Sequence, residues 1–284
     1  MIDDEGRSWP DDPAQHIMPP PKKRRVISDD WKYRRRSPFY KFRSWILRII
    51  ALVFLPIGNF WRYRFVIKGR KYARKVKMKG GIVVANHVLN MDAAIISSSI
   101  FNDRKLYFVI LGQNATIPLA GKIITALGGV PIADDIKGTK KFFSFCGWLL
   151  RKRRPILVFP EKSLWHGYKG IRPFDKGAFT LATKNNKPVL PVVITLKNRK
   201  TRRGSQKYKV YFNIQPPIYP DPNLTGSAQA QQLCDRTHQI FVDQSQQFYN
   251  ALKEKQMRKI VKKQLKQKRK AEKRQEKLNK KELI

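Results

Sequence analysis

From about Phe65 to Leu196, short runs of apolar, often β-branched residues alternate with longer segments whose apolar positions recur at helical spacing. The runs Ile82–Ala85, Lys105–Leu111, Val130–Ala133, Pro155–Phe159 and Val189–Leu196 are nearly continuous in apolar side chains, the pattern of strands covered on both faces. Between them, Asp92–Phe101, Pro118–Leu127, Thr139–Lys152 and Lys176–Asn185 have helical length, and Gly128-Gly129 is a C-cap signal. A β-α-β-α alternation with right-handed crossovers predicts an α/β fold, a largely parallel sheet covered by helices. A further strand, Tyr208–Ile214, stops at Pro216-Pro217. The long helix after it carries Leu233, Thr237, Ile240, Phe241, Phe248 and Leu252 along one side, so its first half is expected to pack on the domain.

The most apolar stretch lies upstream, from Trp45 to Trp61. Its uncharged part, Ile49 to Trp61, covers 13 residues, short of the roughly 20 a helix needs to cross hydrocarbon. Arg43 and Arg48 precede it and Arg62, Arg64 and Lys68 follow it, which favours both ends on the cytoplasmic side. Trp45, Phe60 and Trp61 are aromatics suited to the headgroup level, and Pro56 with Gly58 predicts a bend. The expectation is an N-terminal membrane-interfacial or re-entrant helix on the cytoplasmic face of the cell membrane; length alone also allows a buried core helix.

Charge adds a partner class. The 284 residues hold 60 Lys and Arg against 20 Asp and Glu, a formal net charge of +40, yet 42% are hydrophobic, enough for one good core. The division expected is a disordered basic arm over 1–40, an interfacial helical segment over 41–64, the α/β domain over 65–226, and a C-terminal helix with a polybasic tail over 227–284. Residues 253–284 alone carry 15 Lys and Arg against 4 Asp and Glu. Such a balance suits an anionic membrane surface, polyanionic substrates or nucleic acid. Pro21–Val26 matches a nuclear-localisation string and reads equally as an electrostatic tether. Groove-reading motifs and aromatic interleaving are lacking, so no specific nucleic acid is expected, and a nucleic-acid-associated protein is the distant alternative. Two cysteines, Cys146 and Cys234, make no disulfide framework and have no metal-ligand spacing, which points to a reducing compartment and no metal. The acidic opening, Met1–Pro13, does not read as a cleaved signal peptide.

Four histidines limit the search for a general base. His16 lies in the arm, His238 in the long helix and His166 in a Gly-containing loop. His87 follows the strand Ile82–Ala85, in Asn86-His87-Val88-Leu89-Asn90-Met91-Asp92, directly before a helix. Ligands of open α/β sheets gather at such strand ends. On a continuous helix, positions five apart point well away from each other; if the residues between them turn, Asp92 can hold one imidazole nitrogen and leave the other basic. Asp92 or Asn90 reads equally as a helix N-cap.

Asn86-His87-x-x-x-x-Asp92 resembles the first signature of the glycerolipid acyltransferase family, the 1-acylglycerol-3-phosphate acyltransferase group. Gly128-Gly129-Val130-Pro131-Ile132, Phe159-Pro160-Glu161 and Leu190-Pro191-Val192-Val193 resemble the next three blocks, in family order. The resemblance implies that His87, oriented by Asp92, deprotonates an acceptor hydroxyl that attacks an acyl thioester. It places Asn86, Glu161, Lys162, Ser163 and Arg172 at the substrate. No cofactor is expected beyond acyl carrier protein or coenzyme A as the carrier of the acyl co-substrate, and the acceptor implied is a lysophospholipid, 1-acylglycerol-3-phosphate, giving phosphatidate. Two arginines usual in the family are replaced, by Asp134 in the second block and Leu164 in the third. That leaves open another lysophospholipid or glycerol phosphate as acceptor. The continuation Ser163-Leu164-Trp165 and Arg172-Pro173-x-x-Lys176-Gly177 resembles a Gram-positive bacterial subgroup.

Overall fold

A computed structural model describes residues 1–3, 6–15, 17, 26–35, 37–102, 106–200 and 206–282. The apolar runs form one seven-stranded sheet of β1 (Val66–Lys68), β2 (Ile82–Ala85), β3 (Tyr107–Ile110), β4 (Gly129–Pro131), β5 (Ile156–Val158), β6 (Val189–Lys200) and β7 (Gln206–Ile214), in the order β1-β7-β6-β2-β5-β3-β4. Strands β6, β2, β5, β3 and β4 are mutually parallel. β7 returns antiparallel along β6, and β1 runs alongside β7, so one edge of the sheet is reversed.

Strand alternation divides the interior into two cores. Val83 and Ala85 of β2 face α2 (Arg70–Lys79) and α3 (Asp92–Ile95). Ile82 and Val84 face α6 (Ile136–Arg151), α7 (Gly177–Lys184) and α8 (Gly226–Glu282). All four β2 side chains are fully buried, which is why this strand reads as an unbroken apolar run. Two short helices, α4 (Gly112–Thr116) and α5 (Ala120–Leu127), lie between β3 and β4.

Sequence pattern misses β1, α2 and α4. In α2, Arg-Lys-Tyr-Ala-Arg-Lys-Val-Lys-Met-Lys buries only Ala73 and Val76, too few positions to stand out against the charges. Gly69 before it has φ +78°, and a side chain there would collide with the Ile214 carbonyl. The helix expected over Asp92–Phe101 is α-helical only to Ile95; Ile96–Phe101 is a π-helical stretch. In it the Ser98 hydroxyl donates to the Ala94 carbonyl at 2.6 Å, a side-chain competition that bends helices.

The apolar segment is a single helix, α1 (Pro38–Tyr63), of 26 residues. It runs without a break through Pro56 and is long and apolar enough by length and composition to cross a membrane. It nevertheless lies lengthwise on the domain. Near its start Ser44 and Arg48 both donate to the Ala126 carbonyl; at its end Asn59 and Tyr63 are buried and Phe60 meets Phe65, which meets Phe212 of β7. The outer side leaves Phe42, Ile46, Ile50, Phe54, Ile57 and Trp61 exposed in one stripe.

The described parts of residues 1–40, expected to be a disordered arm, make contacts with the domain. Trp9 is buried, stacked on Trp165 at 5.6 Å and edge-on to Tyr168, while Asp3 accepts its indole N–H. Ile27 is 1% exposed and exchanges backbone and carboxylate bonds with Asp134, and the Tyr33 hydroxyl donates to the Pro131 carbonyl. Isolated aromatic and aliphatic anchors in a polar stretch fasten it to the domain. The Lys22–Arg25 cluster and His16 lie outside the described residues. At the other end, Leu233, Thr237 and Phe241 of α8 are buried, and the helix continues past Lys253 with exposed side chains.

Candidate active site

β2 delivers Ala85 to the C-terminal edge of the sheet, and the chain turns before α3. The turn brings His87 and Asp92 together: His87 Nδ1 lies 3.1 Å from Asp92 Oδ2. The same oxygen accepts the amide hydrogens of Val88 and Leu89, each at 2.8 Å. Asp92 therefore caps the turn and holds the imidazole at once, so the two readings of this residue are compatible. Its carboxylate is fully buried. With Nδ1–H donated to Asp92, the lone pair of His87 sits on Nε2. The ring stacks on Phe159 at 4.1 Å and 17°, which fixes its plane.

Neighbouring β5 supplies the third block. Glu161, just past its end, uses its carboxylate on the protein: Oε2 accepts the His87 amide at 3.0 Å and Arg172 Nη2 at 2.8 Å, and Oε1 accepts the Arg172 amide at 3.0 Å. Arg172 is 2% exposed and also donates to Ser163 Oγ, the Ser163 carbonyl and the Pro13 carbonyl. Glu161, Ser163 and Arg172, expected at the substrate, are all buried and engaged with one another, a paired charge inside the loop. Asn86 is likewise engaged within the protein. Its amide donates to the Ile194 carbonyl and accepts the Ile194 N–H, pinning the end of β2 to β6 as a peptide group would.

Lys162 remains at the site. It adopts φ +65°, the left-handed region that glycine occupies most readily. Its ammonium pairs with Asp175 at 2.7 Å. Burial would raise the Asp175 carboxyl; the bonds from Lys162 and the Gly177 N–H outweigh it and hold the group below its ordinary range. His166 faces Tyr208 rather than His87, and burial lowers its pKa, against the pull of Asp92, so it is neutral at pH 7.

His87, Lys162 and Phe159 open on a cavity of about 980 Å³, at the top of the roughly 300–1,000 Å³ usual for small-molecule sites. Its walls are mainly apolar, with Arg48, Asn90, Gln113 and Asn114 among the polar exceptions. Ala14 of the N-terminal segment also lines it. Sequence reasoning missed this contribution, and also Arg48; nothing in the sequence pairs Trp9 with Trp165, the indole contact that seats the segment. Among the described residues no cluster of His, Cys, Asp and Glu is arranged to hold a metal ion.

The family model described as Acyltransferase matches residues 64–195, the stretch that contains all four blocks. Residues 64–195 are an acyltransferase-family domain. The chain is 27% identical over 114 residues to a 1-acyl-sn-glycerol-3-phosphate acyltransferase of Helicobacter pylori, covering 40% of this chain and 47% of that protein. A protein of the same name from Chlamydomonas reinhardtii is 30% identical over 209 residues, 73% of this chain and 58% of its own length. The chain spans about half the length of these curated relatives. In three dimensions it is similar to the crystal structure of the 1-acyl-sn-glycerophosphate acyltransferase of Thermotoga maritima, with a TM-score of 0.51, 21% identity, and coverage of 71% of this chain and 86% of that one. This likeness supports the acyltransferase fold.

Proposed function

We propose that the protein transfers a fatty acyl group from a thioester of acyl carrier protein or coenzyme A to the free hydroxyl of 1-acylglycerol-3-phosphate, giving phosphatidate at a membrane surface. The observation that carries this reading is the Asp92-held His87 at the wall of a large apolar cavity. His87 Nε2 removes the proton of the acceptor hydroxyl as its oxygen attacks the thioester carbonyl. The tetrahedral intermediate collapses with cleavage of the carbon–sulfur bond, and the imidazolium returns its proton to the departing thiolate. Asp92 stabilises the imidazolium meanwhile and keeps its tautomer. Glu161 and Arg172 hold the His87 main chain. The relatives named for this activity support the choice of acceptor.

The exposed apolar stripe of α1 supports docking on lipid, with the basic residues near it favouring the anionic cytoplasmic leaflet. The test is acyl transfer to lysophosphatidate in vesicles by the wild type and His87→Ala. The variant is expected to lose about 10²–10⁴-fold; equal rates would overturn the proposal. A strict preference for a phosphate-free acceptor would reject 1-acylglycerol-3-phosphate while leaving the chemistry.

A further inference from the structure

Resting on the reading of His87 as the base of acyl transfer, we propose that the N-terminal segment Trp9–Gln15 is a brace for that base. Trp9 seats the segment on the loop 161–172, the loop holds both main-chain groups of His87, and Trp9 is thereby a positioning residue of the reaction.

The loop fastens His87 from two sides. Its amide hydrogen goes to Glu161 Oε2 at 3.0 Å, and its carbonyl accepts the Trp165 N–H at 3.2 Å. The next residue is tied as well, the Val88 carbonyl accepting the Gly167 N–H at 2.8 Å. The imidazole projects from main chain that the loop sets, so the placing of the loop decides where Nε2 stands relative to a substrate hydroxyl.

The loop does not satisfy its own polar groups. Three of its side-chain donors end on carbonyls of the N-terminal segment: Arg172 Nη1 at 3.0 Å and Ser163 Oγ at 3.3 Å on Pro13, and the Trp165 indole N–H at 2.9 Å on Gln15. Ser163 and Trp165 are fully buried and Arg172 nearly so. A buried donor left without an acceptor is unfavourable, so a loop that loses the segment must shift to find water or other acceptors. Arg172 is also the counter-charge of Glu161, at 2.8 Å, and Glu161 carries the His87 amide, so such a shift reaches the base directly.

Trp9 is what holds the segment down. It is 8% exposed and stacks on Trp165, and its indole N–H goes to Asp3, which also pairs with Arg7 at 2.9 Å. Arg7 in turn donates to the Tyr208 hydroxyl of β7 at 3.1 Å. Of the described residues in the segment, Ala14 alone lines the cavity. The segment therefore stands beside the site as a brace and does not fill it as a plug.

The experiment compares wild type, Trp9→Ala and Trp9→Phe by acyl transfer to lysophosphatidate in vesicles and, without substrate, by hydrogen exchange of peptides covering 86–92 and 161–172, with thermal melts to show that each protein is folded. Trp9→Ala should lower kcat by about 10- to 10²-fold, the scale of a catalytic group displaced by about 1 Å, and exchange in both peptides should accelerate about tenfold or more. Trp9→Phe, which keeps a ring to stack on Trp165, should recover most of both. An unchanged kcat in folded Trp9→Ala, even with a raised KM, would show a wall residue only and overturn the proposal; a raised kcat would show a plug and overturn it too, as would unchanged exchange around His87. Absence of transfer by the wild type would instead overturn the acyl-transfer reading, while the exchange rates still decide whether the segment braces His87.

Discussion

Glu161 reaches His87 through the main chain and not through the ring: its Oε2 accepts the His87 amide hydrogen at 3.0 Å. The carboxylate and the imidazole therefore belong to one frame in which Arg172 is the counter-charge, 2.8 Å from the same oxygen. Glu161→Ala leaves the Arg172 guanidinium buried without its partner, and a buried pair broken on one side costs about 3–5 kcal/mol. Chemical denaturation should show that loss for Glu161→Ala, and a smaller one for Glu161→Gln, which keeps an acceptor for the amide.

Asp92→Asn removes the negative charge opposite His87 Nδ1 while leaving an oxygen for the turn amides. Activity should fall by roughly 10²–10⁴-fold with the melting temperature little changed. His166→Asn serves as the contrast: its ring faces Tyr208, and initial rates should remain within about twofold, within the ±0.5 kcal/mol typical of substitutions away from such features.

Trp9→Ala should loosen the N-terminal segment without unfolding the domain. The indole contributes a stacked pair with Trp165 and an edge contact with Tyr168, and each aromatic pair is worth about 0.5–1.5 kcal/mol beyond its buried area. Limited proteolysis within the first fifteen residues should accelerate about tenfold or more. Because Ala14 lines the cavity, the apparent KM for substrate should rise as well.

Neither thiol should react in the folded protein. Burial pushes the Cys146 thiol far above its usual range and carries Cys234 up to about 12. A raised thiol pKa means less thiolate at a given pH: at pH 8 the Cys234 thiolate is roughly 10⁻⁴ of the total. Native iodoacetamide treatment should leave both cysteines unlabelled and activity intact, with labelling of both after denaturation.

Phe54→Asp together with Ile57→Asp places two charges on the outer stripe of α1. Full burial of such side chains is worth about 1.5–3 kcal/mol each, so sedimentation with vesicles should weaken by about 10²-fold or more. Thermal melting in solution should hardly move, since both positions are exposed in the folded chain.

The sheet is legible because β2, β5 and the first part of β6, Val189–Leu196, lie inside the sheet and are apolar at nearly every position. His87 and Asp92 were legible as a pair because a strand end followed by a helix start leaves a turn between them. Spacing does not report burial, however. Arg172 and Asn86 read as substrate-side residues, whereas the Arg172 guanidinium is the counter-charge of Glu161 and the Asn86 amide serves as a surrogate peptide bond to Ile194. The contacts of the N-terminal segment are not legible because its anchors are single residues, Trp9 and Ile27, whose partners Trp165 and Asp134 stand far along the chain. No local pattern encodes such a contact.

Helix α8 has a consequence for how the molecule moves through water. Its 57 residues span about 85 Å at 1.5 Å per residue, while a compact chain of 284 residues has a radius of gyration of roughly 19 Å. Buried Leu233 and Phe241 clamp one end of the helix to the domain, so the rest sweeps with every rotation of the body. Friction then grows far faster than mass, and tumbling becomes anisotropic, slowest about axes perpendicular to the helix. An encounter with a flat charged surface begins at the tip of that boom, and the torque it exerts can turn the domain before any other part arrives.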